Sequence, residues 1–314
     1  QAGIVYSMAY GDQPALICEL VDWARAAGFD VVAAGKGTLY MPEFHTSTPE
    51  TVWGHYGLTL ERAEKSGLSP KMFNSFLDGT KSGIEMAAVA NATGLTPAPG
   101  GLTFPACPVE KIASTLIPES EGGKLHHKGQ VEVISSRERN GKDLENDLRW
   151  GVYVTFEAPS DYVKNCFSDY GLITDASGKY SAMSRPYHLI GLELGISVAT
   201  AALQGLPTGA PRDFLADVVA CAKRHLAKGE VVDGEGGYTV WGRLMVAGDS
   251  LIHGAVPIGL AHGLILKNPV DESAVLKWSD VDTPDKNASV ALTLRREMEA
   301  TLGPRTGIAR AAAG

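Results

Sequence analysis

The stretch Val31-Val-Ala-Ala-Gly-Lys-Gly-Thr-Leu-Tyr-Met-Pro-Glu-Phe44 decides how the rest of the sequence is interpreted. Together with Phe29 and Asp30, its first residues form an apolar, β-branched run that is typical of a buried strand. The run ends in Gly35-Lys36-Gly37, which predicts a flexible bend that carries one ammonium group. Ligands collect at the carboxyl ends of strands in parallel sheets, so Lys36 is the first candidate for a functional side chain.

The residues before this run predict a strand and a helix. Residues 4–10 resemble a strand, Asp12 is a candidate N-cap, and Pro14 suits a first helical turn. Apolar residues then recur at helical spacing until Gly28, at Leu16, Ile17, Leu20, Val21, Ala24 and Ala27. A strand, a helix and a strand form a parallel crossover, so we predict an α/β fold with a partial Rossmann-type parallel sheet. Because the chain opens inside its first predicted strand, we also expect a further segment to precede it.

Four segments are predicted along the chain. Residues 1–70 are the remainder of a dinucleotide-binding domain, and residues 71–210 are an α+β substrate domain. Residues 211–285 are a small β-rich domain, and residues 286–314 are a closing helix and tail. The supporting helices are predicted over 71–94, 184–205 and 287–302, and the short strands over 131–134, 150–157, 230–232, 238–241, 258–260, 264–266 and 275–278.

Composition and charge exclude some classes of function. A formal net charge of −8 argues against nucleic acid as a partner, because phosphate backbones require a basic surface. There is no apolar run of about eighteen residues, so no membrane partner is expected. The four cysteines form no C-x-x-C pair, which indicates reduced, mostly buried thiols and a cytoplasmic protein. We expect a small-molecule substrate and a homo-oligomer.

Lys36 has two interpretations. It is either a solvated loop lysine or a ligand-binding group, between glycines that let backbone and ligand approach closely. In the second case its ammonium hydrogen-bonds a substrate carbonyl oxygen and gives up a proton as hydride arrives. Asp12-Gln13-Pro14 would then face a nucleotide, although it could equally be only a helix cap.

The stretch Asn74-Ser-Phe-Leu-Asp-Gly-Thr-Lys-Ser82 is the second candidate. Asp78-Gly79 is a turn pair and Thr80 a possible N-cap, so the stretch could serve only to start a helix. Alternatively, four donors face a bound anion over that helix start: Asn74, Ser75, Thr80 and Lys81.

The stretch Ser184-Arg-Pro-Tyr-His188 is the third candidate. Ser184 predicts a helix cap, and Arg185 beside a helix N-terminus would form a phosphate or carboxylate site. His188 in the first turn could act as acid, base or anion donor. The alternative is a capped core helix in which His188 is merely hydrogen-bonded.

No metal ligand set can be assigned. The nearest grouping, His45 and His55 with Glu43 and Glu50, matches no compact motif, and Glu85 and Glu193 are each expected to be structural. His126-His127 is expected to face solvent. The sequence has no G-x-G-x-x-G, no Walker lysine loop and no G-x-S-x-G.

Two of these stretches resemble homoserine dehydrogenases. Phe29-Asp-Val-Val-Ala-Ala-Gly-Lys36 looks like the strand that ends at their active-site lysine. Phe73-Asn-Ser-Phe-Leu-Asp-Gly-Thr80 looks like their asparagine-glycine-threonine turn, with Asp78 in place of the asparagine.

A nearer resemblance is to bacterial homoserine-dehydrogenase-like proteins that carry a C-terminal SAF domain. The similar stretches are 219–233, 236–242, 256–267 and 275–281. This group includes a deoxyxylulose phosphate reductoisomerase-like enzyme, which uses NADPH and a divalent cation to make methylerythritol phosphate for isoprenoids. The resemblance implies a β-clip-like SAF domain near the C-terminus.

The resemblance also implies roles for the candidate residues. Lys36 would be the carbonyl-polarising acid, with Asp78 and His188 as further catalytic groups. A phosphorylated substrate would be held by Asn74, Ser75, Thr80, Lys81, Ser184, Arg185 and Tyr187. NADPH or NADH would lie against Asp12, Gln13, Pro14 and Gly35, and the cation would be Mn²⁺ or Mg²⁺ with unknown ligands. The alternatives are a simpler dehydrogenase for another hydroxy or oxo substrate, and a non-catalytic SAF binding protein.

Overall fold

The computed structural model describes residues 3–282 and 289–302. The chain divides into two compact units: unit 1 comprises Gln1–Met41 and Ala88–Asp213, and unit 2 comprises Pro42–Ala87 and Phe214–Gly314. Each of the four segments predicted from the sequence is continuous along the chain, whereas each of these units combines two separate stretches. The four-segment division stays a prediction.

The secondary structure is mixed. The helices are α1 (Gln13–Ala26), α2 (Val52–Tyr56), α3 (Leu60–Lys65), α4 (Pro70–Leu77), α5 (Thr80–Thr93), α6 (Ile112–Thr115), α7 (Asp161–Asp169), α8 (Leu194–Gln204), α9 (Ala247–Ile252) and α10 (Val290–Leu302). The strands are β1 (Asp30–Thr38), β2 (Gln130–Ser135), β3 (Val152–Glu157), β4 (Tyr180–Arg185), β5 (Ala216–Ala222) and β6 (Val240–Val246). Among the described residues, no helix is both long enough and apolar enough to cross a bilayer.

Unit 1 is built on a four-stranded sheet in the order β2-β1-β3-β4. β1 pairs in parallel with β2 and antiparallel with β3, and β4 adds antiparallel to β3. A core that includes Ile112, Ile134 and Tyr153 packs on one side of this sheet. Helix α1 contacts β1 and β3, and an aromatic cluster that joins Trp23 to Phe156 closes the contact. The central strand β1 is therefore almost entirely buried, which explains its continuous apolar run.

Helix α1 confirms its predicted start and stop. The Asp12 carboxylate accepts a hydrogen bond from the Gln13 N–H, Pro14 lies in the first turn, and Gly28 follows the helix with φ +84°. Leu16 and the other predicted apolar positions are buried, apart from the exposed C-cap Ala27.

The predicted strand at residues 4–10 is wrong. Residues 3–9 join no ladder, and Met8 N–H instead donates to the Gly209 carbonyl. Ile4 and Tyr6 are mostly exposed, so the apolar character of the segment has no sheet to pack into. The strand–helix–strand crossover is therefore absent from the described residues. The parallel partner of β1 is β2, which follows it in the chain, and the sheet is mixed rather than purely parallel.

The predicted helix over 184–205 is wrong at its beginning. Ser184 and Arg185 belong to strand β4, where they pair with Tyr153 and Val152. Pro186 lacks an N–H and follows the last paired residue, and α8 begins only at Leu194. Ser184 is thus no helix cap, and His188 is not in a first helical turn.

Unit 2 contains an antiparallel pair, β5 and β6, in register from Ala216 opposite Val246 to Ala222 opposite Val240. Several of the short strands predicted for this region are single bridges, among them Val231 with Ile265 and Cys221 with Val275, and residues 258–260 form a 3₁₀ turn. Strand β5 was missed as an element. The predicted helix over 71–94 is two helices, α4 and α5, separated at Asp78-Gly79.

The closing helix is confirmed over Val290–Leu302, while its predicted start at 287 and the alanine-rich end lie outside the described residues. All four cysteines are free, and three of them are buried, as predicted.

Candidate functional site

The predicted site residues belong to two groups. Unit 1 holds Asp12, Gln13, Pro14, Gly35, Lys36, Ser184, Arg185, Tyr187 and His188. Unit 2 holds Asn74, Ser75, Asp78, Thr80 and Lys81.

Lys36 is held by a strand rather than by a bend. β1 continues to Thr38, and the backbone of Lys36 pairs with Val133 and Val152 on either side. The residue is only 6% exposed, so the interpretation as a solvated loop lysine is wrong. Its Nζ donates to Oε1 of Gln13 over 2.9 Å. The carboxyl-terminal half of β1 thus places a buried ammonium group against a neutral amide.

The two glycines that flank Lys36 permit close packing of neighbouring chain. A Cβ on Gly35 would lie 1.8 Å from the Glu132 carbonyl oxygen, and one on Gly37 would lie 1.9 Å from the Leu148 carbonyl oxygen. Both positions are inside a strand with ordinary φ, so they need small size rather than backbone freedom. Gly35 therefore has protein where a side chain would be, and its predicted place beside a cofactor stays a prediction.

Arg185 lies at the same level of the sheet as Lys36. Val152 is the register partner of both residues, so the two side chains leave the same face, about 10 Å apart at the backbone. The Arg185 guanidinium forms an ion pair with Glu193 and donates to the Tyr10 hydroxyl over 3.4 Å. Ser184 is the neighbouring residue of β4 and leaves the opposite face.

His188 and Tyr187 follow the end of β4. His188 Nδ1 donates to the Trp150 carbonyl over 2.7 Å, which leaves Nε2 as the acceptor of the neutral ring. The Tyr187 ring lies 5.6 Å from the Arg185 guanidinium and is half exposed. Arg185, Tyr187 and His188 are thus close together in unit 1, although no helix N-terminus is there.

In unit 2, Asp78 forms a buried ion pair with Lys223. Lys223 Nζ lies 2.8 Å from Asp78 Oδ2, and both side chains are almost fully buried. The same nitrogen donates to the carbonyls of Ser47 and Gly237, over 2.6 and 2.9 Å. Burial raises the pKa of Asp78, and the Lys223 ammonium and the Thr80 donors oppose this rise.

Asn74 and Thr80 are tied into the same region of unit 2. The Asn74 amide donates to the carbonyls of Ser47 and Gly236, and its oxygen accepts from the Ser47 hydroxyl over 2.6 Å. Thr80 N–H donates to Asp78 over 2.9 Å, and its hydroxyl accepts from the Gly242 N–H over 2.7 Å. Asp78 therefore accepts from the first N–H of α5, as a capping residue does. The prediction that Thr80 is the N-cap is wrong, because Thr80 is the first residue of the helix and its hydroxyl binds the Gly242 N–H.

Ser75 and Lys81 also have acidic neighbours. The Ser75 hydroxyl donates to Glu235 over 2.5 Å, and Lys81 forms an ion pair with Glu85 at 3.3 Å. Whether any of these five residues touches a substrate stays a prediction.

Sequence reasoning missed Lys223 and Glu132, which are two of the buried charged residues. Lys223 directly follows an apolar strand, as Lys36 was expected to do, and this shared position was the available signal. Glu132 is a lone carboxylate in the apolar run Val131–Ile134, and its side chain accepts from Thr103, Phe104, Val133 and Gln130. Burial raises the pKa of Glu132, against the opposing effect of these donors.

The residues predicted to hold a cofactor have protein partners of their own. Asp12 caps α1, and the Gln13 amide is shared between Lys36 and the Gly151 carbonyl, so these atoms already have protein partners. The cofactor-binding role predicted for Asp12, Gln13 and Pro14 stays a prediction. Among the described residues no group of three or more His, Cys, Asp or Glu side chains converges. The divalent cation that the resemblance implies therefore has no assigned ligands among the described residues, and it stays a prediction.

Comparison with known proteins gives one family. The family described as "Oxidoreductase DRL, catalytic domain" matches residues 11–194, more than half of the chain. The match contains Lys36, the Asn74–Lys81 stretch and Arg185. No curated protein matches the chain.

Proposed function

Since the chain belongs to the DRL oxidoreductase catalytic-domain family, we propose that it reduces a carbonyl group of a small, anionic substrate at Lys36. The observation that supports this proposal is the buried ammonium of Lys36, fixed inside β1 and hydrogen-bonded to Gln13. A cation held in a site from which water is largely excluded interacts strongly with the charge that develops on a carbonyl oxygen.

The chain's own contribution is proton transfer and orientation. NADPH or NADH supplies a hydride to the carbonyl carbon when it is bound. Lys36 donates a hydrogen bond to the carbonyl oxygen and transfers one proton to it, so the product is an alcohol. The resulting neutral amine recovers its proton from solvent, which completes the balance of one carbonyl, one hydride and one proton.

Arg185 is the proposed anchor for the substrate's anionic group. It leaves the same sheet face as Lys36, and a guanidinium can bind a phosphate or carboxylate with two hydrogen bonds. Glu193 now occupies it, so an anionic substrate would have to displace that carboxylate. A phosphate carries more charge than a carboxylate, which favours a phosphorylated substrate.

The finer form of the proposal is a reductoisomerase that converts 1-deoxy-D-xylulose 5-phosphate to 2-C-methyl-D-erythritol 4-phosphate. The resemblance of the stretches 29–36, 219–233 and 236–242 supports it. This form needs Mn²⁺ or Mg²⁺, so loss of turnover with a chelator distinguishes it from simple carbonyl reduction. The oxidoreductase family favours both forms over a non-catalytic binding protein.

The test is substrate-dependent NADPH oxidation over a panel of phosphorylated and unphosphorylated ketones and aldehydes. We expect Lys36→Met to lower kcat/KM by about 10²–10³-fold, the range for loss of one group that stabilises developing charge. Arg185→Met should raise KM for the phosphorylated substrates only. Full turnover in Lys36→Met would refute the proposal.

A further inference from the structure

We infer that Gln13 is a positioning residue that fixes the ammonium of Lys36, instead of a residue that binds cofactor. This inference rests on the proposed function of Lys36. It comes from a ring of contacts that returns from the lysine side chain to the lysine's own strand.

The ring has three hydrogen bonds. Lys36 Nζ donates to Gln13 Oε1 over 2.9 Å, and Gln13 Nε2 donates to the Gly151 carbonyl over 3.4 Å. The same carbonyl accepts from the N–H of Gly37 over 3.1 Å. Because Gly37 adjoins Lys36, the ammonium is tied to the backbone of its own strand through one amide and one carbonyl.

The two ends of the Gln13 amide have different functions. An amide oxygen only accepts and an amide nitrogen only donates, so Gly151 fixes which end faces the lysine. Lysine has a long, flexible side chain, and holding it in one position removes much of its rotational freedom before substrate binds. The amide thereby orients the proton donor without adding a negative charge beside it.

The backbone around this ring is rigid. Gln13 is only 4% exposed and lies in the first turn of α1, between the Asp12 cap and Pro14. Gly151 has no room for a side chain, since a Cβ would lie 2.2 Å from the Arg185 carbonyl oxygen. The carbonyl that orients Gln13 is therefore fixed at the start of β3, beside the strand that carries Arg185.

Charged groups of unit 1 around this sheet face include the Asp12 carboxylate on α1 and the Arg185–Glu193 ion pair beyond β3. A carboxylate introduced at position 13 would add a negative charge where the Gln13 oxygen accepts from the ammonium over 2.9 Å. It would stabilise the charged form of Lys36, so deprotonation would require a higher pH.

The experiment compares Gln13→Met, Gln13→Glu and the matched control Gln204→Met, an exposed glutamine at the end of α8. Gln13→Met keeps the size but neither hydrogen bond, and we expect kcat to fall about 10–100-fold with KM changed less than about threefold. Gln13→Glu keeps the acceptor, so it should recover part of kcat and move the alkaline limb of the kcat–pH profile to higher pH. Gln204→Met should match the wild type.

A crystal structure of Gln13→Met provides a readout that does not depend on activity. We expect Lys36 Nζ to leave its wild-type position, and an unchanged Nζ would overturn the inference. Unchanged kcat in Gln13→Met, with Lys36→Met inactive, would overturn it and leave the proposed function standing. Full turnover in Lys36→Met would instead remove the proposed function, whatever Gln13 does. If Gln13→Met does not fold, the pH profile of Gln13→Glu decides: an unmoved alkaline limb counts against positioning.

Discussion

Two heptapeptides of this chain are nearly the same and end in buried lysines with different surroundings. Asp30-Val-Val-Ala-Ala-Gly-Lys36 belongs to unit 1, and Asp217-Val-Val-Ala-Cys-Ala-Lys223 belongs to unit 2. Both form buried strands, β1 and β5, and both lysines are less than a tenth exposed. The same local sequence thus makes the same local element, and the partners from elsewhere in the chain determine what each ammonium does.

Lys223 has the partners of a structural ammonium. Its ammonium forms an ion pair with Asp78 and donates to the carbonyls of Ser47 and Gly237. Lys36 lies against the amide of Gln13, a neutral side chain. Both lysines are buried, so burial alone does not show which of them is a candidate acid. The chemistry of their partners distinguishes Lys36 from Lys223.

The aspartates that begin the two heptapeptides, Asp30 and Asp217, differ in their exposure and in their partners. Asp217 is buried and binds Arg295 through two hydrogen bonds, at 3.0 and 2.6 Å, while Asp30 is exposed. Charged groups fix both ends of the β5 segment, whereas in β1 the only buried charge of the heptapeptide is Lys36.

The largest expected effect comes from Gly35→Ala, which makes the first heptapeptide more like the second. The new Cβ would lie 1.8 Å from the backbone oxygen of Glu132, so β1 and β2 would have to separate. We expect a loss of more than about 5 kcal/mol in the free energy of unfolding, comparable to the stability of a whole domain. Urea denaturation followed by circular dichroism measures it.

Gly195→Ala is the matched control, because this glycine lies in α8 and a Cβ there meets nothing within 4 Å. It should stabilise unit 1 by up to about 1 kcal/mol. Equal losses in the two variants would contradict the close approach at Gly35.

The next largest effect is the difference in the free energy of unfolding that is lost when each lysine is replaced by methionine. Lys223→Met leaves the Asp78 carboxylate buried without its cation, and we expect a loss of about 3–5 kcal/mol. Lys36→Met removes, among its contacts, the hydrogen bond to the neutral Gln13 amide, and for that bond we expect a loss of about 1–2 kcal/mol. Chemical denaturation of both variants tests the comparison. If Lys36→Met were the more destabilising variant, Lys36 rather than Lys223 would be the structural lysine.

Much of β1, α1 and the Lys36 candidate followed from local pattern, because helix caps, apolar spacing and strand composition act over a few residues. The stretch 184–188 shows where this fails. Its serine and proline are typical of a helix start, but pairing with β3 across a sequence gap of about 30 residues places Ser184 and Arg185 in a strand. The partners of Asp78 and Glu132 were equally inaccessible, since Lys223 and Thr103 lie far from them in sequence.

The third comparison is between two buried carboxylates, Asp217 in unit 2 and Glu132 in unit 1. It concerns how the free energy of unfolding depends on pH. Asp217 binds the Arg295 guanidinium, whereas the donors to Glu132 in unit 1 are backbone N–H groups, a hydroxyl and an amide. Burial raises the pKa of Glu132 above its ordinary 4.5, so the folded chain holds this proton after the unfolded chain has lost it. The free energy of unfolding should therefore fall as pH rises from about 4.5, by up to about 1.4 kcal/mol per pH unit for this group.

Glu132→Gln tests this contrast. The informative quantity is the difference in slope between wild type and variant from pH ~4.5 upward, because a constant difference in stability does not change the slope. Denaturation at a series of pH values measures it. Identical slopes would show that Glu132 titrates alike in the folded and unfolded chains.

The smallest expected effect concerns the position where the heptapeptides differ most in chemistry, Ala34 against Cys221. Burial raises the pKa of the Cys221 thiol to about 12, so only about 10⁻⁴ of it is thiolate near pH 8. Iodoacetamide should leave Cys221 unmodified in the folded chain and react first with the partly exposed Cys166, as peptide mass spectrometry would detect. If Cys221 were labelled as fast as Cys166, β5 would have to open readily in the folded chain. β5 would then not be the stable buried strand that the comparison with β1 assumes.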